Sequence, residues 1–402
     1  MKSENSAVTN SVVKLSKLEL RHSITLAGIY GCRLLGLFMV LPVLALYIQT
    51  MPGATSLTIG LGIGVYGIFQ ALLQIPFGIL SDRFGRKALI SIGLIIFIIG
   101  SVICALASQI EWFIVGRAIQ GAGAIGSTIN ALVADLTKPE LRSKAMAVVG
   151  MGVGGTFLVA MLLGPLLSLF TGVPGLFILA SIFGCFGLVL LNKFIPQLTP
   201  ITTTANHLHW QKLAHLLKHP DCLRLDLSIF LLHAILTISF VAVPLLLLQL
   251  DINSQYVSLI YIPVLLVAFI ITMVGLSYAE RHQRLKSFLI IAIACFTISQ
   301  LGLALLPPNL INIIFTLTTF FTAFVFLEAN LPALITRVAP IESRGGATGI
   351  FSCAQFCGIF VGGLIGGRLY QQTSTTTILI TTAIISCIWL LLILPLQIPK
   401  RE

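Results

Sequence analysis

Glu328 is the residue of this sequence that is best placed for proton chemistry. It is the only acidic residue deep within one of the long apolar stretches, and its neighbours include Phe324, Phe326 and Asn330. Removing a carboxyl group from water disfavours its charged form. Such a carboxyl can gain and lose a proton near neutral pH, which is what coupling to a proton gradient requires. The alternative is a neutral carboxylic acid that is held by a hydrogen bond to a neighbour.

Three basic side chains within the apolar stretches are further candidates for function. Arg33 lies about nine residues into the first stretch, roughly 13 Å deep at a rise of about 1.5 Å per residue. A charge near the centre of a bilayer costs about 2.5–3.5 kcal/mol, so Arg33 is expected either to line a cavity, where it binds substrate or tunes a proton site, or to form a structural ion pair. Arg117 is nearer the end of its stretch, where snorkelling is the alternative to a functional role. His233 could transfer protons or could join two helices by a hydrogen bond.

The elements that must position these residues are twelve apolar stretches, each near the roughly 20 residues that a membrane-spanning helix needs. Of the 402 residues, 57% are hydrophobic and 9% charged, whereas soluble domains carry about 25% charged residues. The sequence therefore predicts an all-α membrane protein. Its predicted parts are an N-terminal segment 1–23, a six-helix bundle 24–193, a middle loop 194–223, a second six-helix bundle 224–397 and a tail 398–402.

The positive charges lie on one side of the predicted membrane. All but three of the 24 Lys and Arg residues precede the first stretch or lie in alternate connections, the middle loop or the tail. The exceptions are Arg33, Arg117 and Arg368. By the positive-inside rule, both termini are expected in the cytoplasm. The formal net charge of +11 thus reflects topology and contact with anionic lipid headgroups, and we expect no nucleic-acid partner.

The sequence gives little support for other classes of protein. The first 20 residues lack the apolar core of a cleaved signal peptide. The eight cysteines lie almost entirely in apolar stretches, which predicts free thiols. The sequence has no recognisable pair of catalytic nucleophile and general base, so we do not expect an enzyme. We expect no cofactor. The middle loop has four histidines, His207, His209, His215 and His219, but no cysteine or carboxylate pair that would complete a metal site, so we expect none. We expect instead an amphipathic helix on the membrane surface, with Trp210, Leu213, Leu216 and Leu217 on its apolar face.

A charge-dense connection follows the second stretch. Its sequence fits the pattern G-x-L-x-D-R-x-G-R-K, with fixed polar and glycine positions at Gly78, Asp82, Arg83, Gly85, Arg86 and Lys87. This pattern closely resembles the loop between the second and third helices of major facilitator superfamily transporters. An acid and two cations recur with the same spacing from Glu280 to Arg284 after the eighth stretch. The resemblance implies the fold of that superfamily, two pseudo-symmetric six-helix bundles.

This connection could act as a conformational latch. Asp82 could face the positively charged end of a helix dipole near Gly345 in the other half, and Arg86 could pair with Asp135. Breaking these contacts would shift the balance between outward-open and inward-open states. The alternative is a solvated turn that only fixes topology.

Further motifs point to the twelve-helix drug/proton antiporters of the superfamily. Leu35-Gly36 followed by Pro42-Val43 resembles their first-helix signature, and residues 117–124 resemble the R-x-x-Q-G-x-G-A motif of proton-coupled members. The fifth-helix antiporter motif is half present, because Gly164-Pro165 is intact but its outer glycines are replaced. The first stretch and residues 134–137 look most like the YajR-type group, without the soluble C-terminal domain of that group.

The resemblance implies a secondary active transporter whose halves rock about a midplane cavity. We expect proton-coupled antiport that exports small amphipathic or drug-like compounds, driven by the proton gradient, from a monomer in the bacterial inner membrane. Its partners would be lipids, protons and the substrate. Proton coupling would involve Glu328, Arg117, Arg33 and His233. The expected cavity residues are Arg33, Phe38, Met39, Gln120, Phe324, Phe326, Glu328 and Asn330.

Two alternatives stay open at this point. One is a facilitator or symporter for a specific small metabolite, which could be an anion held by Arg33. The other is a sensor or scaffold with transporter ancestry, against which the intact connection after the second stretch argues.

Overall fold

The computed structural model describes residues 15–197, 216–248, 250, 252, 254–282, 284–340 and 343–398. In these ranges, long apolar helices run between two ends of the molecule. We call the end that carries Lys17 and Ile393 the terminal face, and the end that carries Gln49 and Ser56 the far face. The principal helices are α1 Lys17–Phe38, α2 Leu41–Gln49, α3 Ser56–Phe84, α4 Arg86–Leu106, α5 Ile110–Ala122, α6 Gly126–Asp135, α7 Arg142–Phe194, α8 Pro220–Leu248, α9 Tyr261–Arg281, α10 Leu285–Leu305, α11 Leu310–Val338, α12 Arg344–Gln372 and α13 Thr375–Ile393, with short helical turns at Pro139–Leu141, Ser254–Val257 and Ser258–Ile260.

Ten helical stretches of the described chain are long and apolar enough to cross a membrane. One of them, Pro139–Phe194, has 56 residues, which is enough for two crossings. The helices α5 and α6 are short, but they follow one another across a break at Gly123 and together make a further crossing. The described residues therefore contain the twelve crossings that the sequence predicts.

The helix α7 folds back on itself at Gly172. This residue has φ 63°, a conformation that glycine adopts without steric cost. Gly152, before the turn, packs beside Ala27 of α1, and Gly187, after the turn, lies near Ile29 of the same helix. Both arms of α7 thus run along α1, and a single residue makes the reversal between the fifth and sixth crossings.

Two helices begin earlier than the predicted boundaries. α1 begins at Lys17, inside the predicted segment 1–23, because Ser16 and Glu19 form a capping box: Glu19 accepts the N–H of Ser16 at 2.9 Å and donates its own N–H to Ser16 Oγ at 3.2 Å. α8 begins at Pro220 rather than 224, since proline suits the first turn of a helix. These polar first turns extend the helices beyond the apolar stretches.

The two bundles meet closely near the far face. A methyl group added at Gly60 of α3 would lie 2.0 Å from the carbonyl oxygen of Gly363 in α12, and one added at Gly367 would lie 2.5 Å from that of Ser56. Such spacing means that the backbones of α3 and α12 are in direct contact, as small residues permit in membrane helices. This contact closes the molecule at the far face.

The two bundles are apart near the terminal face. A methyl group added at Gly150 of α7, or at Gly345 or Gly349 of α12, would meet nothing within 4 Å. The side chain of Asp82, at the end of α3, is 63% exposed. We therefore describe the molecule as being in a terminal-open conformation.

Candidate functional site

A narrow cavity lined by residues of both halves lies between the two bundles. The ring centroid of Phe157 in α7 is 5.0 Å from that of Phe38 in α1 and 5.4 Å from that of Phe324 in α11. Ring contacts therefore pass from one half to the other. The first, fourth, seventh and tenth crossings line the cavity, and the second, fifth and eleventh contribute as well. The lining residues are Leu37, Phe38, Leu41, Ile63, Tyr66, Arg117, Phe157, His233, Leu236, Thr237, Phe240, Phe324, Glu328 and Ile359.

Three polar side chains of the C-terminal half meet beside this cavity. Gln355 of α12 donates from its amide nitrogen to Glu328 Oε1 of α11 at 3.2 Å. The same nitrogen is 2.9 Å from His233 Nε2 of α8, and that Nε2 is 3.6 Å from Glu328 Oε2. The Glu328 side chain is 25% exposed and the His233 side chain 4%. We call these three residues the carboxyl–imidazole cluster, in which the Glu328 and Gln355 side chains are partly exposed and His233 is buried.

The hydrogen bonds of the cluster fit a neutral His233. Its Nδ1 is 3.2 Å from the carbonyl oxygen of Ile229, so Nδ1 acts as the donor. The other nitrogen of a neutral ring is an acceptor, which suits the amide donor of Gln355. Glu328 Oε2 has no hydrogen-bond partner among the described residues. A proton that enters the cluster can therefore bind to Oε2 of the carboxylate or to Nε2 of the imidazole.

Arg117 of α5 is a buried cation on the opposite side of the cavity. Its Nε donates to the carbonyl oxygen of Gly62 at 3.2 Å, and its Nη1 donates to Gln120. Gln120 in turn donates to Ser101 at 2.8 Å. The guanidinium carbon lies 5.0 Å from the ring centroid of Tyr66, within the range of a cation–π interaction. Arg117 is thus held by carbonyl, amide and aromatic groups rather than by snorkelling to the surface.

Arg33 lies inside the N-terminal bundle, not at the cavity wall that was expected for it. Its side chain is fully buried and donates from Nη2 to Gln70. Its Nε and Nη1 have no hydrogen-bond partner among the described residues. The rings of Tyr66 and Phe97 lie 5.7 and 5.5 Å from its guanidinium carbon. The predicted alternative, an ion pair, is not formed either within the described chain, so the charge is incompletely compensated.

Four other expected cavity residues do not line the cavity, namely Met39, Gln120, Phe326 and Asn330. Met39 is fully buried at the break between α1 and α2. Phe326 faces α10, where its ring centroid is 6.0 Å from that of Phe288. Asn330 donates to the carbonyl oxygen of Phe326 at 2.7 Å, within its own helix. Gln120 lies behind Arg117, whereas Phe38 and Phe324 line the cavity.

Sequence reasoning missed Gln355 and a polar stripe on α3. Tyr66, Gln70 and Gln74 follow one another at intervals of four residues, so they share one helix face. Gln70 donates to Gln74 at 3.0 Å. Glu328 was singled out because it is a polar residue inside an apolar stretch. The same criterion, applied to glutamine, would have found Gln70, Gln74 and Gln355.

The predicted pairing of Arg86 with Asp135 is confirmed, with 3.0 Å between Nε and Oδ2. Arg86 also pairs with Asp82 at 2.5 Å and donates to the carbonyl oxygen of Gly78 at 3.4 Å. The predicted contact of Asp82 with the start of α12 is not made in this conformation. A methyl group added at Gly345 would meet nothing within 4 Å, because the two bundles are apart at the terminal face.

The other residues of the connection between α3 and α4 shape the turn or bind neighbouring main-chain groups. Gly85 has φ 91° and reverses the chain between α3 and α4. Lys87 donates from Nζ to the carbonyl oxygens of Asn192 at 3.3 Å and Ile195 at 2.9 Å. These carbonyl groups are at the C-terminal end of α7, where a cation is favoured. Arg83 is exposed.

The two carboxylates that share Arg86 differ in burial, which gives a stability prediction. Asp135→Asn is expected to destabilise the protein by about 1 kcal/mol, the upper range for partly exposed ion pairs, because the Asp135 side chain is only 24% exposed. Asp82→Asn is the matched control and should cost less, since that side chain is 63% exposed. Thermal unfolding of both variants in detergent measures the difference. Equal losses would contradict this assignment.

Most of the predicted amphipathic helix of the middle loop, including His207, His209, His215, Trp210 and Leu213, lies outside the described residues. Of the two leucines within them, Leu216 is buried and Leu217 is exposed. Among the described residues there is no group of three or more His, Cys, Asp or Glu side chains that could hold a metal ion.

Comparison with known proteins agrees with this architecture. The family model described as Major Facilitator Superfamily matches residues 26–327 and 225–402. Inner membrane transport protein YajR of Escherichia coli (strain K12) is 35% identical over 378 residues, covering 94% of this chain and 83% of YajR. Multidrug resistance protein 2 of Bacillus subtilis (strain 168) is 34% identical over 128 residues, 31% of this chain and 32% of that protein. The crystal structure of a D-xylose-proton symporter has a TM-score of 0.73 at 17% identity and covers 94% of this chain and 98% of the symporter.

The family match and the similarity to YajR extend over nearly the whole chain. Together with two bundles of apolar crossings around a central cavity, they show that the protein is a membrane transporter and not an enzyme, and that the chain belongs to the major facilitator superfamily.

Proposed function

We propose that this protein is a proton-coupled antiporter that exports small amphipathic or drug-like compounds, with the proton gradient as its driving force and without a cofactor. The observation that carries the proposal is the carboxyl–imidazole cluster. Glu328 combines partial exposure with a carboxylate oxygen that lacks a hydrogen bond among the described residues. If substrate and proton bind to Glu328 in turn, they are carried in opposite directions.

The walls of the cavity support an amphipathic substrate. Most lining residues are apolar or aromatic, and the polar ones stand on two sides, with Arg117 and Tyr66 in the N-terminal half and Glu328 and His233 in the C-terminal half. A few polar groups in an apolar pocket are typical of small-molecule sites. Arg117 and the deeper Arg33 place positive charge in the N-terminal half, opposite Glu328.

We place the protein as a monomer in a bacterial inner membrane, with both termini in the cytoplasm. The one-sided distribution of lysine and arginine supports this orientation, and the name of the E. coli relative supports the compartment. In this orientation the terminal-open conformation faces the cytoplasm, from which an exporter takes its substrate. Closure would bring Asp82 towards the start of α12, where the latch contact could form.

Glu328→Gln tests the proposal. The amide keeps the shape of the side chain but cannot release a proton, so proton-driven transport is expected to be lost. Compounds that stabilise the purified protein in a thermal-shift screen would be followed in proteoliposomes after a pH jump. Glu111→Gln is the matched control, because Glu111 is an exposed acid near the far face. Proton-driven transport that persists in Glu328→Gln would refute the proposal.

A facilitator or symporter for a small anion is a second candidate, and one observation favours it. Arg33 has two N–H groups without partners among the described residues, and Arg117 has no carboxylate partner among them. Two buried cations with a single carboxylate across the cavity would attract an anion. Symport would move substrate with the imposed proton gradient, whereas gradient-independent exchange in wild type and Glu328→Gln alike would indicate a facilitator. No flux of any compound would indicate a sensor or scaffold.

A further inference from the structure

We propose that Gln355 is a positioning residue that holds Glu328 in its charged form and His233 in its neutral form while the molecule is terminal-open. The proposal rests on the function proposed above and adds a residue that controls when the proton is taken up. It concerns how the two titrating groups are held, and Gln355 itself does not titrate.

The hydrogen bonds of the amide favour one arrangement of charge. The Gln355 nitrogen has two N–H groups, and its two partners are Glu328 Oε1 at 3.2 Å and His233 Nε2 at 2.9 Å. Both partners must be acceptors for both bonds to exist. Oε1 of a carboxylate and Nε2 of a neutral imidazole meet this condition. A protonated His233 would place an N–H against the amide nitrogen, so uptake of a proton there breaks one of the two bonds.

The amide is fixed relative to His233 by backbone packing. A methyl group added at Gly358 of α12 would lie 2.2 Å from the carbonyl oxygen of Phe230, and one added at Gly362 would lie 2.3 Å from that of Ala234. These contacts press α12 against α8, one to two turns beyond Gln355. Glu328 comes from α11, so it is the member that reaches the bridge from outside this tightly packed helix pair.

The same helix carries the contact between the two halves. Gly363 and Gly367 of α12 pack against α3 at the far face, and this contact must open if the far face is to open. If α12 moves relative to α11 when this contact breaks, Gln355 is displaced from Glu328. The bridge would then be lost as the far face opens, and the carboxyl would hold its proton differently in the two conformations.

Of the other charged or titratable groups near Glu328, only His233 forms a hydrogen bond with Gln355 among the described residues. Arg117 and Tyr66 line the same cavity from the N-terminal half, and Tyr30 of α1 interacts electrostatically with both Glu328 and Arg33. His233 is the titratable group of α8 beside Glu328. A change in the titration of Glu328 on replacement of Gln355 is therefore assigned to the loss of the amide bridge, which releases both Glu328 and His233.

The test is an infrared titration of the full-length protein in lipid, which needs no transported substrate. The probe is the carbonyl stretch of protonated carboxylic acids, followed from low to high pH, and the band that disappears in Glu328→Gln belongs to Glu328. Gln355→Met removes both donors and keeps the length of the side chain. We expect it to raise the midpoint of the Glu328 band by about one pH unit, a tenfold change in the protonation equilibrium.

Two further variants complete the test. Gln355→Asn retains an amide on a shorter side chain and should move the midpoint less than Gln355→Met. Thr348→Val is the matched control on α12, because among the described residues the Thr348 hydroxyl donates only to carbonyl groups of its own helix, at Arg344 and Gly345; it should leave the midpoint unchanged. All variants are compared by thermal unfolding, and a shift of the midpoint in variants with wild-type stability excludes a general loss of structure.

The outcomes separate this proposal from the proposed function. An unchanged midpoint in Gln355→Met, with a Glu328 band that still titrates, would overturn the role of Gln355 and leave proton exchange at Glu328 standing. A shift of equal size in Thr348→Val would also overturn it. Absence of any titrating Glu328 band in the wild type would instead overturn proton exchange at Glu328 and, with it, the function on which the proposal rests.

Discussion

Gly60→Ala is expected to drive the protein out of the terminal-open conformation. The added methyl group would lie 2.0 Å from the carbonyl oxygen of Gly363, a distance at which one backbone must move. Overpacking of this kind costs about 1–3 kcal/mol. If the cost falls only on the conformation in which α3 and α12 touch, the equilibrium shifts by roughly 5- to 150-fold towards a conformation with an open far face.

Hydrogen–deuterium exchange would measure this shift without a substrate. Peptides from the far-face parts of α3 and α12 should exchange faster in Gly60→Ala than in the wild type, and peptides from the terminal-face parts of α7 and α12 should exchange more slowly. Gly154→Ala is the matched control, because its methyl group would meet nothing within 4 Å. Wild-type exchange in a correctly folded Gly60→Ala protein would show that this contact does not hold the far face closed.

The two buried arginines are expected to respond in opposite ways to the same replacement. Arg117→Met would leave the Gly62 carbonyl and the Gln120 amide without their donor, and each buried unsatisfied group costs about 1–3 kcal/mol. We expect a loss of about 3 kcal/mol in the free energy of unfolding. Arg33→Met removes a buried charge whose Nε and Nη1 have no partner among the described residues, and burying such a charge costs free energy. Gln70 loses its Arg33 donor but keeps the Tyr66 hydroxyl at 3.4 Å, so we expect this replacement to be neutral or stabilising.

Thermal unfolding in one detergent, with the two variants side by side, would test this contrast. The Arg33→Met protein should unfold at or above the wild-type temperature, and the Arg117→Met protein well below it. Arg117→Lys extends the test: a lysine keeps the charge but lacks the forked donors, so it should recover only part of the loss. Similar losses at positions 33 and 117 would mean that Arg33 has compensating partners that the terminal-open conformation does not show.

The fold could be predicted from the sequence because lipid imposes strict conditions on length and charge. A crossing helix needs about 20 apolar residues, and the connection from Gly78 to Lys87 adds a pattern that few folds share. The helix ends were less accessible. The capping box at Ser16 and Glu19 lies in a polar segment, where the search for apolar stretches does not look, so α1 was expected to begin several residues too late.

Individual residues of the site could be predicted from the sequence, but their arrangement in space could not. Glu328 and His233 stand out because each is polar within an apolar stretch, but they are distant in sequence, and their meeting depends on how α8, α11 and α12 pack. Depth within a helix does not tell which face a side chain occupies, which is why Arg33 was expected at the cavity and lies inside a bundle. The latch contact of Asp82 could not be judged from sequence either, since it depends on which conformation is populated.

Several side chains at the terminal face form their hydrogen bonds with main-chain atoms rather than with other side chains. Lys87 reaches the carbonyl oxygens of Asn192 and Ile195, and Glu19 accepts the backbone N–H of Lys138 at 3.1 Å. Every amino acid offers the same carbonyl group, and every one except proline offers the N–H. These hydrogen bonds can therefore persist when the receiving residues change during evolution, whereas they are lost when Lys87 or Glu19 changes.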